Sequence, residues 1–364
     1  MPALVCRPTL AKIVYAGYRM KEAWRTRSTS TQTALNHRSR FYAELWRDAA
    51  AHLGAGIEDL GNDTFEIRLN AECTRVQQNT TMLDRAITCA VAQNKPLVHR
   101  LLAREHLRTP SYCEFTLNEI GKAAAFVEKT ISGCVVKPAN GGGGRGVTTG
   151  VTGTPGLVLA AANAAVYGPH LMVEEQIQGN VYRLLYLDGV LLDAVLRKPM
   201  AVLADGQSSV RDLIRRENNF RLKTGPNRAH ALIVTDLDVR YTLAIQGLTL
   251  SSVPKKGSLI TVKTVINDNS QQDNVSAKHL LGTSVIADGA AAAAAIGVRL
   301  AGIDIITPDP TIPLAQSGGA ILEVNTSPSY HHHYYKRDGS YPVATHILPF
   351  LLGVRASELH TQLA

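Results

Sequence analysis

The spacing of apolar and polar residues predicts helices and strands that alternate along the chain. Between residues 41 and 53, apolar side chains recur every three to four positions, and the pattern stops at Gly54. This pattern predicts an amphipathic helix. The runs GIEDL and TFEIRL follow on either side of Gly61-Asn62 and predict two short strands. Together these elements predict that residues 1–93 form a small α/β domain of their own.

A second group of elements surrounds a glycine-rich segment. The run NKPLVHRLLAREHLRTP predicts a helix that ends before Pro110, and a further helix is expected near residues 117–131. GCVVKP predicts a strand that leads into the loop ANGGGGRG, and VTTGV predicts the strand that returns from it. LMVEEQI predicts another short strand. These elements make residues 94–177 a plausible second unit.

The remaining part of the chain begins with a hairpin. VYRLLYL and VLLDAVL are joined by Asp188-Gly189, a dipeptide that accepts the positive φ angles of a two-residue turn. DGQSSVRDLIRRENN and the alanine-rich run ADGAAAAAAIGVRLA predict helices, and GIDII and AILEVN predict strands. The polar, aromatic run SPSYHHHYYKRDGSYP is expected to be a loop.

Composition narrows the classes of function. The chain has 364 residues, 45% hydrophobic and 19% charged, as expected of a folded enzyme. Its net charge of +8 favours anionic partners, but there is no basic stripe interleaved with aromatic residues, so small anionic ligands are favoured over nucleic acid. The five cysteines form no Cys-x-x-Cys pair, and no run of about 18 apolar residues occurs. We therefore expect a cytoplasmic protein that has no disulfide framework and does not span a membrane.

The glycine-rich loop is the first candidate for binding chemistry. Residues 141–146 contain five glycines around Arg145, so that backbone N–H groups can turn toward an anion. Lys137 precedes the glycines and lies on a strand, and no Gly-Lys-Ser/Thr follows, which excludes a Walker loop. A phosphate clamp and a flexible hairpin tip both remain open on this evidence.

A second candidate is a group of hard oxygen ligands. Glu323 and Asn325 are two residues apart on one predicted strand, so both side chains leave on the same face, and Asp304 lies on the other predicted strand nearby. Such oxygens suit Mg²⁺. Buried polar residues that pair with Arg or Lys would give the same sequence pattern. Arg183 and Arg197 lie on the two hairpin strands, where they either face solvent or contact an anion.

These motifs occur in an order that resembles the ATP-grasp domain of cyanophycin synthetase, over roughly residues 90 to 350. The Mur-ligase-like domain of that synthetase has no counterpart in this sequence. The resemblance implies an α/β (α+β) fold of the ATP-grasp type with three subdomains, in which the nucleotide is held between two α+β units. The three units would be an N-terminal domain at 1–93, a central lid with the glycine-rich loop at 94–177, and a C-terminal unit with the magnesium and substrate sites at 178–364.

The resemblance also implies roles for individual residues. Lys137, Arg183 and Arg197 would be catalytic, and Asp304, Glu323 and Asn325 would bind Mg²⁺. The nucleotide would be held by a larger set: Lys95, Lys137, Gly141, Gly142, Gly143, Gly144, Arg145, Gly146, Glu174, Glu175, Gln176 and Ile177. The substrate would meet Asn267, Ser329, Tyr330 and His331.

Several positions depart from the pattern of the resembling family. His99, followed by Arg100, stands where related sequences carry a second lysine, and Val181 stands where an acid often binds ribose. The run INDNSQQ has glutamines in place of two glycines, and Ser329 follows Pro328 where glycine is common. These departures lie near the proposed pocket, so we expect them to affect specificity. Three consecutive histidines at 331–333 are also compatible with an exposed loop that has no role.

The resemblance implies an ATP-dependent carboxylate–amine ligase that forms an amide or peptide bond through an acyl phosphate. ATP and two Mg²⁺ ions would be required. The substrates would be a small carboxylate and a small amine, with amino acids expected, and family members commonly self-associate into homo-oligomers. Two alternatives are a phosphotransferase acting on a small molecule and a non-catalytic sensor that binds ATP.

Overall fold

The computed structural model describes residues 8–26, 28–223, 232–264 and 274–354. Helices and strands alternate along most of this length. The helices are α1 (Pro8–Thr26), α2 (Thr29–Leu53), α3 (Ala86–Gln93), α4 (Lys95–Arg104), α5 (Ile120–Lys129), α6 (Gly153–Ala165), α7 (Val210–Lys223), α8 (Leu237–Ile245), α9 (Thr283–Ile296), α10 (Leu314–Ser317), α11 (His331–Tyr334) and α12 (Val343–Leu351). Short 3₁₀ helices lie at Leu117–Glu119 and Lys278–Leu280.

The strands form four sheets. They are β1 (Gly56–Gly61), β2 (Thr64–Leu69), β3 (Glu72–Gln77), β4 (Tyr112–Phe115), β5 (Cys134–Pro138), β6 (Thr148–Val151), β7 (Leu171–Glu175), β8 (Asn180–Leu187), β9 (Val190–Arg197), β10 (Met200–Leu203), β11 (Leu259–Lys263), β12 (Asn274–Ser276), β13 (Leu300–Thr307) and β14 (Ala320–Thr326). The two larger sheets have the strand orders β4-β7-β5-β6 and β12-β9-β8-β13-β14, and the smaller ones are β1-β2-β3 and β10-β11. Neighbouring strands within the described residues pair antiparallel in all four sheets.

The predicted amphipathic helix is confirmed as α2, but it begins well before its apolar stripe. The side chain of Ser28 accepts a hydrogen bond from the backbone N–H of Thr31 at 3.3 Å and caps the first turn. At the other end, Gly54 adopts φ +68 and closes the helix as predicted. The first turns carry mostly polar residues, so apolar spacing could not indicate where the helix starts.

The hairpin is confirmed in detail. Strands β8 and β9 pair antiparallel, with Leu187 opposite Val190. The two turn residues, Asp188 and Gly189, have φ of +49 and +83, as a two-residue turn between twisted strands requires. This hairpin forms the middle of the five-stranded sheet and carries both candidate arginines.

Other elements were not predicted. Helix α1 precedes the amphipathic pattern of residues 41–53, in a stretch for which no element is predicted. Helix α6 lacks an amphipathic pattern because most of its residues are buried, on more than one face. The expected loop after β14 contains the one-turn helix α11, whose three histidines are all buried.

The domain boundaries at 93/94 and 177/178 remain a prediction. The hydrophobic cores contain residues from both sides of these positions. Ala11 of α1 packs with α6 and the four-stranded sheet rather than with α2. Leu102 of α4 packs with the core of the five-stranded sheet. The core around Trp46 continues from α2 into α12 and the segment after β14. The region at 1–93 therefore shares apolar packing with both larger sheets.

The two larger sheets meet where β7 leads into β8. Gly179 lies at this junction with φ +142, and a Cβ placed there would lie 2.4 Å from the backbone carbon of Thr307. The close approach brings the end of β13 against the connection, so that a cleft opens between the sheets. Within the described ranges, no helix is both long and apolar enough to cross a membrane.

Candidate active site

A cavity of about 470 Å³ lies between the four-stranded and the five-stranded sheets. This volume falls within the usual range for small-molecule sites. Most of the residues predicted to bind the nucleotide line it, together with three that were assigned to catalysis or metal. These residues are Lys95, Lys137, Gly141, Gly142, Gly144, Arg145, Glu174, Glu175, Gln176, Ile177, Arg197, Asp304 and Glu323.

Lys137 and Glu174 form the first of three acid–base pairs in the cleft. They lie on the neighbouring strands β5 and β7, where the register puts Glu174 opposite Val135, two residues before Lys137. Both side chains therefore share a face of the sheet, and Lys137 Nζ lies 2.6 Å from Glu174 Oε1. Both are less than a tenth exposed. Burial raises the pKa of Glu174, and the Lys137 ammonium opposes that rise.

Lys95 and Glu323 form the second pair, with Lys95 Nζ 3.0 Å from Glu323 Oε1. Lys95 is the first residue of α4, and the side chain of Asn94 fixes that end by accepting a hydrogen bond from the N–H of Leu97 at 3.0 Å. The Lys95 ammonium also donates to the carbonyl of Gly141, at the start of the glycine-rich loop. Burial would raise the pKa of Glu323, but Lys95 and Lys137 outweigh it and the pKa is lowered.

Asp304 and Arg183 form the third pair. Arg183 Nε and Nη2 donate to Asp304 Oδ1 and Oδ2 at 2.6 and 2.7 Å, a bidentate contact. Arg197 Nη1 lies 3.6 Å from Asp304 Oδ1. The guanidinium of Arg183 is therefore occupied by Asp304 and holds that carboxylate in place, whereas Arg197 lines the cleft itself. The sequence suggested the same anion contact for both arginines.

The three predicted metal ligands converge on one face of the five-stranded sheet. Asp304 pairs in register with Glu323, and Asn325 lies two residues further along β14. Asn325 Nδ2 donates to Asp304 Oδ2 at 3.2 Å and to the carbonyl of Gly302 at 3.0 Å. Two carboxylates and an amide oxygen on adjacent strands are a donor set that fits Mg²⁺. Among the described residues, no three His, Cys, Asp or Glu side chains lie together as a metal site. The predicted set of three ligands therefore includes an asparagine beside its two carboxylates.

Residues 174–177, which the resemblance assigns to nucleotide binding, lie along the edge of the cavity, and the backbone N–H groups of two of them are already hydrogen-bonded. The N–H of Glu175 donates to the carbonyl of Ser111 at 3.0 Å, and the N–H of Gln176 donates to the carbonyl of Gly133 at 3.0 Å. The side chain of Gln176 accepts a hydrogen bond from the N–H of Gly150 at 2.7 Å. The next N–H along the chain, that of Ile177, is therefore the first that a ligand in the cavity could meet.

The glycine-rich loop is open over most of its length and fixed at its end. Residues 141–143 and Arg145 are exposed, whereas Gly146 is buried. Gly141, Gly143, Gly144 and Gly146 have positive φ angles, which other residues rarely adopt. The loop can therefore expose backbone N–H groups on the cavity side, as an anion-binding loop must.

The segment after β14, residues 327–341, departs most from the prediction. Tyr330 is fully buried against Tyr42 and Trp46, and its hydroxyl donates to the carbonyl of Asn79 at 3.3 Å. Its side chain thus belongs to the core around α2 and is not available to a substrate, because a large aromatic ring gains more from that burial. Ser329 hydrogen-bonds to the Tyr42 hydroxyl. Asn267 lies outside the described residues.

The histidines of this segment are not the exposed loop that the sequence allowed. His331, His332 and His333 are 5%, 2% and 0% exposed, and the rings of the first two lie 3.9 Å apart. Burial and the neighbouring His331 and Arg197 hold the pKa of His332 well below its usual value. The imidazole of His332 is therefore held in its neutral form and lies near Arg183 and Arg197.

A buried cluster beside these rings was missed. His333 Nδ1 lies 2.8 Å from Asp193 Oδ2, and Lys336 Nζ lies 3.1 and 3.0 Å from the two oxygens of Asp193. All three are nearly or fully buried. A lone acid within the apolar strand VLLDAVL was the signal, because a buried carboxylate must have a partner.

The side chains of His99 and Arg100 lie in different surroundings, one buried and one exposed. His99 is 1% exposed and meets Tyr112 edge to face at 5.2 Å. Burial and the Lys137 charge lower its pKa to about 3, so it carries no charge that could replace a lysine. Arg100 instead points outward and pairs with Glu114 at 2.7 Å. Val181 lines the cavity as an apolar wall.

Comparison with known proteins gives relatives over most of the chain. No family model matches it. It is 26% identical over 318 residues to cyanophycin synthetase of Trichormus variabilis, covering 81% of this chain and 34% of the relative. It is 27% identical over 267 residues to the glutathione biosynthesis bifunctional protein GshAB of Enterococcus faecalis, covering 72% of this chain and 35% of the relative. The chain thus spans about a third of the length of these curated relatives.

Among solved structures, the chain is similar to a bifunctional glutathione synthetase from Pasteurella multocida. The TM-score is 0.52 with 23% sequence identity, and the match covers 82% of this chain and 41% of that one. The match supports the mixed helix-and-sheet fold class that the sequence predicts.

Proposed function

We propose that this chain, which carries an ATP-grasp domain related to cyanophycin synthetase, is an ATP-dependent carboxylate–amine ligase. One observation carries the proposal: three acid–base pairs, Lys137–Glu174, Lys95–Glu323 and Arg183–Asp304, meet around one cleft. Cations for a triphosphate and oxygens for a divalent metal are thereby held on strands and at the start of α4, at fixed distances from each other. A site that only sensed ATP would not need both sets.

The nucleotide would lie along the cleft with its two ends in different surroundings. The adenine end meets the strand edge near Ile177 and the apolar side chains of Val135 and Leu322. The phosphate end meets Lys95, Lys137 and the exposed part of the glycine-rich loop. Because the ammonium groups are already close to carboxylates, they are positioned before the ligand arrives, which reduces the cost of ordering them.

Asp304, Glu323 and Asn325 would hold Mg²⁺, which neutralises phosphate charge when bound and so assists the transfer of the terminal phosphoryl group. The chain's own contribution is to keep these oxygens aligned. Arg183 fixes the carboxylate of Asp304 through two hydrogen bonds, and Lys95 fixes that of Glu323.

The substrate carboxylate would approach from the side of Arg197. This arginine lines the cleft 3.6 Å from Asp304 and is almost fully buried, so its charge acts in surroundings of low polarity. It can orient a carboxylate toward the terminal phosphate and then stabilise the acyl phosphate that forms. The glycine-rich loop would cover the intermediate and exclude water.

The amine would attack the acyl carbon after losing a proton. The side of the sheet beyond the arginines carries buried imidazoles at 331–333, and that of His332 is held neutral. A neutral imidazole can accept a hydrogen bond from an ammonium group, whereas a protonated one would repel it. Because His332 carries no charge, it adds no repulsion to an amine that approaches Arg197 from this side.

Amino acids are the substrates that we propose. The relative named for glutathione biosynthesis supports this class, as does the buried Arg197 for a carboxylate. The linkage formed and the number of units joined are not part of the proposal. A site for nucleic acid is not proposed.

The test measures ADP and phosphate release from ATP and Mg²⁺ with amino acids offered singly and in pairs, followed by mass spectrometry. We expect release that needs two substrates and a product whose mass is their sum less one water. ADP without free phosphate, together with a phosphorylated product, would make the protein a phosphotransferase instead. Tight ATP binding with no turnover for any pair would favour the sensor.

A further inference from the structure

The glycine-rich loop ends against a tyrosine that no motif indicates. Gly146 is buried, and a Cβ placed on it would lie 2.6 Å from Cδ2 of Tyr167 and 3.1 Å from Cα of Ala164. The guanidinium of Arg145 lies over the ring of the same tyrosine, 5.9 Å from its centroid. Tyr167 follows α6 and lines the cavity, as Arg145 does. The tyrosine therefore meets both the fixed end of the loop and its basic side chain.

Tyr167 is in turn attached to helix α1. Its hydroxyl hydrogen-bonds to the carboxylate of Glu22, which also accepts a hydrogen bond from Arg25 Nε at 2.7 Å. The charge of Arg145 also acts on Glu22. Burial and the nearby Glu22 raise the pKa of Tyr167 to about 12, so its hydroxyl keeps its proton and remains a donor.

Helix α1 is held independently of this contact. Ala11 is fully buried in the core of the four-stranded sheet, beside α6. Further along the helix, Lys21 Nζ donates to the carbonyl of Thr235 at 3.2 Å. Because two separate contacts fix α1, Glu22 is a firm support for the tyrosine rather than a side chain that follows it.

We propose that helix α1 is part of the nucleotide site: Glu22 holds Tyr167, and Tyr167 anchors the glycine-rich loop and places Arg145 over the cavity. Glu22 and Tyr167 are positioning residues that act through the loop. The proposal rests on the function proposed above for the nucleotide, but the anchor itself exists without a ligand.

The physical reason is the entropy of the loop. Glycines have more backbone freedom than other residues, so a loop of five glycines is costly to order around a phosphate chain. Fixing one end and one side chain beforehand removes part of that cost from binding. Losing the anchor should therefore weaken ATP binding by about 10-fold, with little change in the chemical step once ATP is bound.

The first test needs no nucleotide. Arg145 is exposed, so trypsin can cleave the bond between Arg145 and Gly146, and mass spectrometry can follow that cleavage alone. We expect Tyr167→Leu to be cut about 10-fold faster than the unchanged protein, because cleavage requires local opening of the loop. Tyr167→Phe keeps the ring but loses the bond to Glu22, and we expect an intermediate rate.

Tyr241→Leu is the matched control. Tyr241 packs against the same core from α8 and is similarly half-buried, but it belongs to a different contact, with Gly156. It should lower the melting temperature and leave the rate of cleavage after Arg145 unchanged. Equal acceleration in Tyr241→Leu and Tyr167→Leu would mean general loosening and would overturn the anchor.

The second test separates binding from chemistry. In Tyr167→Leu we expect the KM for ATP to rise about 10-fold while kcat at saturating ATP changes less than about 2-fold, with partial rescue in Tyr167→Phe. If Tyr167→Phe equals the unchanged protein in both tests, α1 takes no part and the proposal fails. If ATP and Mg²⁺ do not slow cleavage of the unchanged protein while Tyr167→Leu is still cut faster, the anchor stands and the proposed nucleotide site fails.

Discussion

The cleft between the two larger sheets and the segment 327–341 both contain buried opposite charges, but they hold them in different ways. In the cleft, each carboxylate has a basic partner, and the side chain of Glu323 is still 27% exposed toward the cavity. In the segment, His333 and Lys336 both contact Asp193 of the neighbouring strand β9, and none of these three side chains is more than 7% exposed.

This difference suggests two uses of the same chemistry. At the wall of a cavity, each member of an ion pair can contact a charged ligand instead of its partner, because the charge of the ligand or its metal compensates the charge of that side chain. A pair enclosed by the fold cannot exchange, and its removal leaves a charge without compensation. We therefore expect substitutions in the cleft to change activity first and substitutions in the segment to change stability first.

The largest effect is expected at Asp304. Asp304→Asn removes a proposed metal ligand and the charge that Arg183 and Arg197 face, so kcat for ADP release should fall about 10²–10³-fold, as when a preorganised charge contact is lost. Asp309→Asn is the control, because this acid after β13 bonds only locally with Thr311. Asp304→Asn with more than half of the original activity would show that the cleft is not the reaction site.

A large loss of stability is expected at Asp193. Asp193→Asn leaves Lys336 buried without this carboxylate, which should reduce the free energy of unfolding by about 3 kcal/mol. Urea denaturation measures it. The control is Asp188→Asn in the same hairpin, where the exposed pair with Arg299 should be worth less than about 1 kcal/mol. Equal losses of stability at Asp193 and Asp188 would contradict the view that the enclosed ion pairs matter most for stability.

A smaller effect is expected from pH at His99. Its pKa is about 3 in the folded protein against an ordinary value of 6.5, so between these values only the unfolded chain takes up the proton. Stability contributed by the neutral imidazole is present above pH 6.5 and falls by about 1.4 kcal/mol per unit as the pH decreases below it. His99→Leu should show a shallower decrease in urea denaturation between pH 7 and pH 5. An unchanged slope would mean that His99 titrates normally.

The smallest effect is expected at Tyr330. Tyr330→Phe removes the hydrogen bond to the carbonyl of Asn79 and should cost about 1 kcal/mol of stability. The KM for each substrate should remain unchanged, because the ring packs in the core around α2. A raised KM with unchanged stability would instead return Tyr330 to the substrate pocket that the sequence predicted.

The sequence predicts the site best where local geometry decides the outcome. Asp188-Gly189 has few alternatives to a two-residue turn, and the hairpin that follows brings Arg183 and Arg197 onto one sheet. The spacing of Glu323 and Asn325 places both on one face of β14 because strand side chains alternate. In both cases the decisive neighbours lie within a few residues along the chain.

Sequence patterns fail where distant contacts decide. The apolar face of α6 cannot be recognised because the helix is buried on several sides, so it shows no clear period. Tyr330 reads as a polar, aromatic loop residue, but its partner Tyr42 lies 288 positions away in the chain. The link from Tyr167 to Glu22 also joins residues far apart in the chain, and neither residue belongs to a recognisable motif.

The packing of Tyr330 against Tyr42 and Trp46 also affects how this protein could be recombined with its relatives. A graft that exchanged only residues 327–341 would separate this tyrosine from the two aromatic residues that enclose it and would leave a mismatched interface. A chimera with a new acceptor preference should therefore exchange α2 together with the segment after β14. The two segments are far apart in the gene, but in a recombination experiment they should be exchanged together.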